Sequence, residues 1–346
     1  MWSPYPAGPG GVMSRKLLAV TVSACAAAAL LVTVEGPAQA VTAPSVTAVS
    51  PRHGKLTGDT RVKVTGTAFN RVRAVKFGAA YGSSVHVVTS TVLYVTTPAH
   101  AAGSVHVRVV TADGTSTARY ADRYGYARAP QVVLDPGHNG GNASHPAAVN
   151  KLVYAGYGRY KPCNTTGTAT NSGYAEHRFN WDVALRVRKI LLARGIKVIL
   201  TRTSDTGVGP CVNTRAAIES TRGTAVAVAI HADGAYASGH GFHVNEDSRA
   251  PEGSSATTRA NSARLSRAVH NALARGSGLV PSNYIGRNGY YFRDDLAGLN
   301  LSTAPTTFLE LGNMRNAGDA ARQTSSTGRQ RIAKAIATGI LTYLGW

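Results

Sequence analysis

The chain is short of acid. It carries 17 Asp and Glu against 37 Lys and Arg in 346 residues, for a formal net charge of +20. Such an imbalance points to a polyanionic partner: nucleic acid, anionic lipid or an anionic cell-wall polymer. Charged residues of both signs amount to 16%, too few for many long surface helices, and the 37 glycines suit β-structure and loops. Only three cysteines occur, so a disulfide-dense scaffold is excluded. Only one long apolar run exists, Leu17 to Val34, and no other segment is long and apolar enough to span a bilayer.

That run has Arg15-Lys16 before it and Gly36-Pro37-Ala38-Gln39-Ala40 after it. A basic start, an apolar middle and Ala-Gln-Ala read as a signal peptide over residues 1–40, cut after Ala40. Residues 1–12 add nothing to the pattern, so translation starting at Met13 fits equally. Two other readings stay open. One is a retained membrane anchor. The other is a lipoprotein box at Val22-Ser23-Ala24-Cys25, although Cys25 lies inside the apolar run. Export argues against nucleic acid and places the protein outside the cytoplasm, at the cell wall, with no stable membrane span after cleavage. Cleavage also removes Cys25. The remaining pair, Cys163 and Cys211, reads as one disulfide in an exported chain, with two free buried thiols as the alternative.

Two halves follow different periods. Within residues 43–128, Val46, Val49, Val62-Lys63-Val64, Val85-His86-Val87 and Val105-His106-Val107-Arg108-Val109 alternate with period two. Pro51, Gly54, Gly58, Gly66, Gly78, Pro98 and Gly103 punctuate them, and no helical stretch intervenes. The expectation is a small all-β sandwich. The segments "SVTAVSPRHGKLTGDTRVKVTGTAF", "AVKFG", "TPAHAAGSVHVRVVTADGTS" and "ADRYGY" resemble the IPT/TIG group of immunoglobulin-like domains, which implies no catalytic chemistry here. An excess of Lys and Arg would let this half dock on an anionic surface; a passive spacer is the equal alternative.

From Ala129 the pattern changes. "QVVLD", "IKVILTR", "AVAVAIH" and "TTFLEL" read as strands. Between and after them come helical patterns: Phe179, Val183, Val187, Ile190 and Leu191 on one face, closed by Gly195, then Ala216 to Arg222, Ala260 to Ala274 and Arg329 to Leu344. Alternating strands and helices over residues 129–346 predict an α/β layer fold, a mostly parallel sheet flanked by helices. Its site is expected at the carboxyl ends of the strands.

Those ends carry chemistry. "VVLDPGH" ends at His138, "AVAVAIH" at His231, "TTFLEL" carries Glu310, and Glu176 opens the first helix. Two imidazoles and a carboxylate suit a catalytic Zn²⁺ with a fourth position left for water, and a second carboxylate would take the water's proton. Each residue alone has a plainer reading. A strand-end histidine is often structural, and an acid at a helix start is favoured by the helix dipole. Glu310 between Leu309 and Leu311 is harder to dismiss, because burying a carboxylate requires a partner.

The segments "VVLDPGHNGG", "AEHRFNWDVALRVRKILLARGIKVILTRTSD", "AVAVAIHADG" and "DDLAGLNLSTAPTTFLELGNMRNAGDA" resemble, in order, the zinc-dependent N-acetylmuramoyl-L-alanine amidases of the Amidase_3 type. The resemblance implies Zn²⁺ held by His138, Glu176 and His231, with Glu310 as catalytic acid/base and Arg215 in a structural role. It implies peptidoglycan as the substrate, cleaved between N-acetylmuramic acid and L-alanine. Three departures stand out. The stretch from Asn139 to Ala175 is long, Gly312-Asn313 follows Glu310-Leu311 where Gly-Phe is usual, and Ala229 and Asp233 replace Ser and Asn around His231. His145, His177, His240 and His243 are expected at the surface or behind the ligands, with His240 and His243 facing opposite sides of one strand. The competing function is a non-enzymatic cell-wall-binding protein of the same two folds; a nucleic-acid binder is more distant.

Overall fold

The computed structural model describes residues 42–346. The expected signal peptide, the Met13 start and Cys25 lie outside the described residues.

The first half is a sandwich. One sheet is ordered Ser45–Ser50, Arg61–Thr67, Val92–Thr96, Ser83–Thr89, and the facing sheet is ordered His53–Lys55, Arg123–Ala127, Gly103–Thr111, Val72–Phe77, Ala80–Tyr81. The period-two alternation buries one face of most strands, but in Ser83–Thr89 every residue is exposed, Val85 and Val87 included. Val62, Val64, Val75, Phe77, Leu93, Val95, Val107 and Val109 point inward to a core closed by Tyr124 and Tyr126.

The second half is a six-stranded sheet between helices. Its order is Lys197–Leu200, Gln131–Pro136, Thr224–Asp233, Thr306–Asn313, His243–Asp247, Tyr290–Arg293. Every neighbouring pair is parallel except the Thr306–Asn313 and His243–Asp247 strands, which run antiparallel. The mostly parallel sheet is therefore as expected; the Tyr290–Arg293 strand was not expected, and the strand expected around His240 and His243 begins at His243.

The sheet's two faces differ in kind. Val132, Leu134, Val226, Val228, Ile230, Leu309 and Leu311 join the core made with the helices Glu176–Ala193, Ala256–Gly276 and Ser326–Leu344. In the first of these, Phe179, Val183, Val187 and Leu191 recur every four residues as the buried stripe. Gly195 follows with φ +77° and stops the helix. The opposite face carries His231, Phe308 and Glu310. The short helices Val212–Glu219 and Ala297–Leu301 and the Asn139–Ala175 connection pack there. Shorter cover leaves room for a cavity. The predicted helix Ala216 to Arg222 begins and ends earlier, at Val212 and Glu219.

The long connection is structured. It contains a hairpin, Leu152–Tyr154 against Tyr160–Pro162. Tyr154 OH donates to Glu252 at 2.7 Å, and Arg159 meets Asp294 at 2.8 Å. Cys163 is joined to Cys211 by a disulfide, with Cα atoms 4.4 Å apart. The bond fastens the end of the connection to the start of the helix Val212–Glu219. No helix among the described residues is long and apolar enough to cross a membrane.

Denatured, unreduced protein lacking residues 1–40 should show no titratable thiol. Reduction should lower unfolding stability by up to about 4 kcal/mol, from a loop of 48 residues. Two titratable thiols before reduction would contradict the bond.

Candidate metal centre and catalytic cavity

Three adjacent strands bring three of the four singled-out residues to one edge. The Thr224–Asp233 strand lies between the other two, and its His231 is the direct Cα partner of Glu310. His138 follows the Gln131–Pro136 strand in a left-handed conformation, φ +59°. Non-glycine residues seldom adopt it, and it persists only where surroundings enforce it. Here they do. Arg215 donates to the carbonyls of Pro136 at 2.9 Å and His138 at 3.1 Å, Arg202 to Pro136 at 2.8 Å, and Asn180 to Gly137 at 3.2 Å.

The guanidinium of Arg215 also pairs with Asp135 at 2.6 Å, both groups buried. Burial opposes the Asp135 charge, but Arg215 and the Thr201 hydroxyl outweigh it and hold the carboxyl below its usual range. Arg215 thus acts on the turn, as expected of it.

Glu176 is 3% exposed and opens its helix. Oε2 accepts from the Thr168 amide at 3.0 Å and faces His138 Nε2 at 3.1 Å. Oε1 accepts from the Ala232 amide at 3.1 Å and from Asn180 at 3.2 Å, and faces His231 Nδ1 at 3.1 Å. Burial works to raise its pKa, but the two imidazoles overcome that and hold it well below the usual carboxylate range. Burial lowers the His231 pKa. Burial would lower His138 too, but Glu176 raises it.

These three residues fit a cation. Their donor atoms lie within 4.8 Å of one another. His138 Nδ1 lies 2.9 Å from the Thr165 carbonyl, so it must be the N–H, and Nε2 is left toward Glu176. Nε2 and the carboxylate oxygen beside it are satisfied by a positive charge between them, either a proton on the ring or a metal ion in its place. Space is kept for it by two glycines. A Cβ on Gly137 would come within 2.0 Å of the His231 ring; one on Gly167, at φ +76°, would lie 2.7 Å from Glu176 Oε2.

Glu310 lines the same cavity, which has a volume of about 370 Å³ and is also bordered by Lys161, Asp233 and Phe308. Phe308 stacks on the His231 ring with centroids 4.4 Å apart. Burial, then the negative Glu176 and Asp233, push the Glu310 pKa well above its usual range; Arg293 opposes them.

The other histidines separate. His177 turns to Asp205 at 2.9 Å. His145 bonds the Gly141 carbonyl in the connection. His240 and His243 do not share a strand: Gly239 and Gly241, the latter at φ +97°, turn the chain, and the strand starts at His243. His243 is 2% exposed, so it is no surface residue.

Of the departure Gly312-Asn313, the asparagine braces the chain beside the Glu310 strand. The Asn313 side-chain amide donates to the carbonyls of Tyr236 and Gly239, and its backbone amide donates to Asp319. Sequence reading missed Thr165, Thr168 and Asn180. Asn180 has a signal, one turn after Glu176 on the same helix face. Thr168 acts through its backbone amide, and Thr165 through both its carbonyl and its hydroxyl, 2.9 and 3.2 Å from His138 Nδ1; neither falls in a readable pattern.

Residues 132–342 match the family described as N-acetylmuramoyl-L-alanine amidase (Amidase_3), and residues 44–124 match the IPT/TIG domain. An N-acetylmuramoyl-L-alanine amidase of Mycobacterium tuberculosis is 43% identical over 213 residues, covering 62% of this chain and 86% of the relative. Among solved structures, the N-acetylmuramyl-L-alanine amidase of Mycobacterium smegmatis is similar at a TM-score of 0.59 and 41% identity, over 62% of this chain and 97% of that one. The apo form from Mycobacterium abscessus is similar at 0.58 and 44%, over 62% and 98%.

Arg215→Leu would leave Asp135 buried and unpaired. It should lower unfolding stability by about 3–5 kcal/mol, measured by denaturant titration. A loss below about 1 kcal/mol would show that the pair does not hold the turn.

Proposed function

The chain belongs to the N-acetylmuramoyl-L-alanine amidase family, and from that premise we propose an exported, zinc-dependent peptidoglycan hydrolase. It cleaves the amide between the lactyl group of N-acetylmuramic acid and L-alanine of the stem peptide. We propose three parts: a signal peptide over 1–40, an IPT/TIG-like sandwich over 43–128 and the catalytic domain over 129–346. The observation that carries the reading is the convergence of His138, Glu176 and His231 at the cavity that Glu310 also lines.

His138, Glu176 and His231 would hold Zn²⁺, which supplies a Lewis acid for the lactyl carbonyl and for water. The chain's residues do the rest. Thr165 fixes the His138 tautomer, and the Thr168 and Ala232 amides with Asn180 keep Glu176 ionised and oriented. Glu310 takes the proton of the attacking water and delivers it to the leaving L-alanine amine. Its raised proton affinity suits a group that holds a proton between two transfers.

The sandwich, rich in Lys and Arg, would hold the enzyme on an anionic wall polymer outside the cytoplasm. The rival reading, a wall-binding protein without catalysis, leaves the intact donor set and Glu310 without a purpose.

His231→Ala should fold but bind zinc much more weakly than the one equivalent expected of wild type, by metal analysis after dialysis. Full occupancy in that variant would remove His231 from the set. Glu310→Gln should keep zinc and substrate binding and lose ~100-fold or more in turnover. The assay is a muropeptide whose products, a lactyl carboxylate and a new L-alanine amine, are identified by mass. Wild-type turnover in Glu310→Gln would exclude it as the base; loss of zinc would make it a ligand instead.

A further inference from the structure

The polar face that carries His231 and Glu310 continues beyond the cavity. Across the antiparallel junction, His243 is the direct Cα partner of Glu310, and Asn245 that of Phe308. Residues directly opposed on antiparallel strands point to the same side, with Cβ atoms about 4.5–5.5 Å apart. His243 therefore stands on one side of Glu310 as His231 stands on the other.

Four polar atoms on this patch are buried and have no hydrogen-bond partner among the described residues: Glu310 Oε2, His243 Nδ1, and Oδ1 and Nδ2 of Asn245. Buried polar atoms in folded proteins are nearly always paired, and each exception needs a reason. Here a donor-capable nitrogen and a carboxyl oxygen lie on directly opposed positions. The His243 ring is steadied by Tyr284 and Tyr291, edge-on with centroids at 6.0 and 6.3 Å. Tyr284 is itself fixed by donating to Asp233 at 3.0 Å.

We propose that His243 is the positioning residue of Glu310: the two side chains stand opposed but unbonded in this structure, and a side-chain rotation that brings Nδ1 to the inner carboxyl oxygen Oε2 aims the other oxygen into the cavity. The chemistry suits a base that changes state during turnover. Burial pushes the His243 pKa down to about 4, so the imidazole is neutral when the enzyme works. A neutral partner orients the carboxyl without locking it in its ionised form, as a permanent cation would. This inference rests on the reading of Glu310 as the base.

The test uses the whole zinc-loaded chain labelled with ¹⁵N-histidine. The Nδ1 resonance of His243 should shift when Glu310→Gln is introduced; an unchanged resonance would overturn the contact, whatever the activity. His243→Phe should lower kcat roughly tenfold, leave KM within about twofold and leave zinc stoichiometry unchanged. His243→Gln, which can still donate to the carboxyl, should recover part of the loss. In the Glu310→Gln background, His243→Phe should cause no further loss. Wild-type kcat in His243→Phe, with Glu310→Gln inactive, would overturn the positioning role alone. Wild-type turnover in Glu310→Gln would overturn the function reading instead. Should His243→Phe fail to fold, the resonance comparison and His243→Gln decide.

Discussion

A carboxylate that water cannot reach must be solvated by protein, and Glu176 sets that demand on everything around it. Its two oxygens are met by a backbone amide of the long connection, a backbone amide of the central strand, a side chain one turn along its own helix, and two histidine rings. The partners come from segments far apart in sequence, so satisfying this one group brings loop, helix and two strands into register. The same demand explains the glycines at 137 and 167. Any side chain there would enter the space between the carboxylate and the rings.

A second buried charge holds the frame. Arg215 reaches from its helix to Asp135 and to the carbonyls around His138. It neutralises one acid and holds a backbone conformation that histidine would otherwise leave. The disulfide begins one residue before that helix, at Cys211. The helix that fixes the His138 turn is thus the one to which the long connection is tied, and the connection supplies the Thr165 carbonyl that sets the His138 tautomer.

Much of this was legible in the sequence because the burial rule and the period rule agree there. "VVLDPGH", "AVAVAIH" and "TTFLEL" are apolar runs that carry their chemical residues at or near the end, and most strands of the sandwich alternate, Ser83–Thr89 excepted. The strand Tyr290–Arg293 was not legible, and the strand expected around His240 and His243 was legible only in part, because it starts at His243; the reason is physical. In "HVNED" the buried positions include His243, Asn245 and Asp247, because the face they line is the polar one behind Glu310. A strand that buries polar residues has no hydrophobic period to read. The helix Ala317–Thr324 is short, and its Asn316 cap looks like an ordinary loop residue. The metal-donor candidates were visible as residue types at strand ends. The atoms that orient them were not, since Thr168 acts through the main chain and Thr165 through its carbonyl and hydroxyl from a loop with no period to read.

The connection between His138 and Glu176 leaves the centre through a pinned stretch. The Gly140 amide donates to Asp205 and the Gly141 amide to Gly207. The connection returns through another pinned stretch, from Cys163 to Thr168. Between the two clamps, geometry at the centre no longer depends on chain length. The excursion is therefore a slot for evolutionary change. A change of length there would alter the border of the cavity at Lys161 and Pro162 and leave the clamped centre in place.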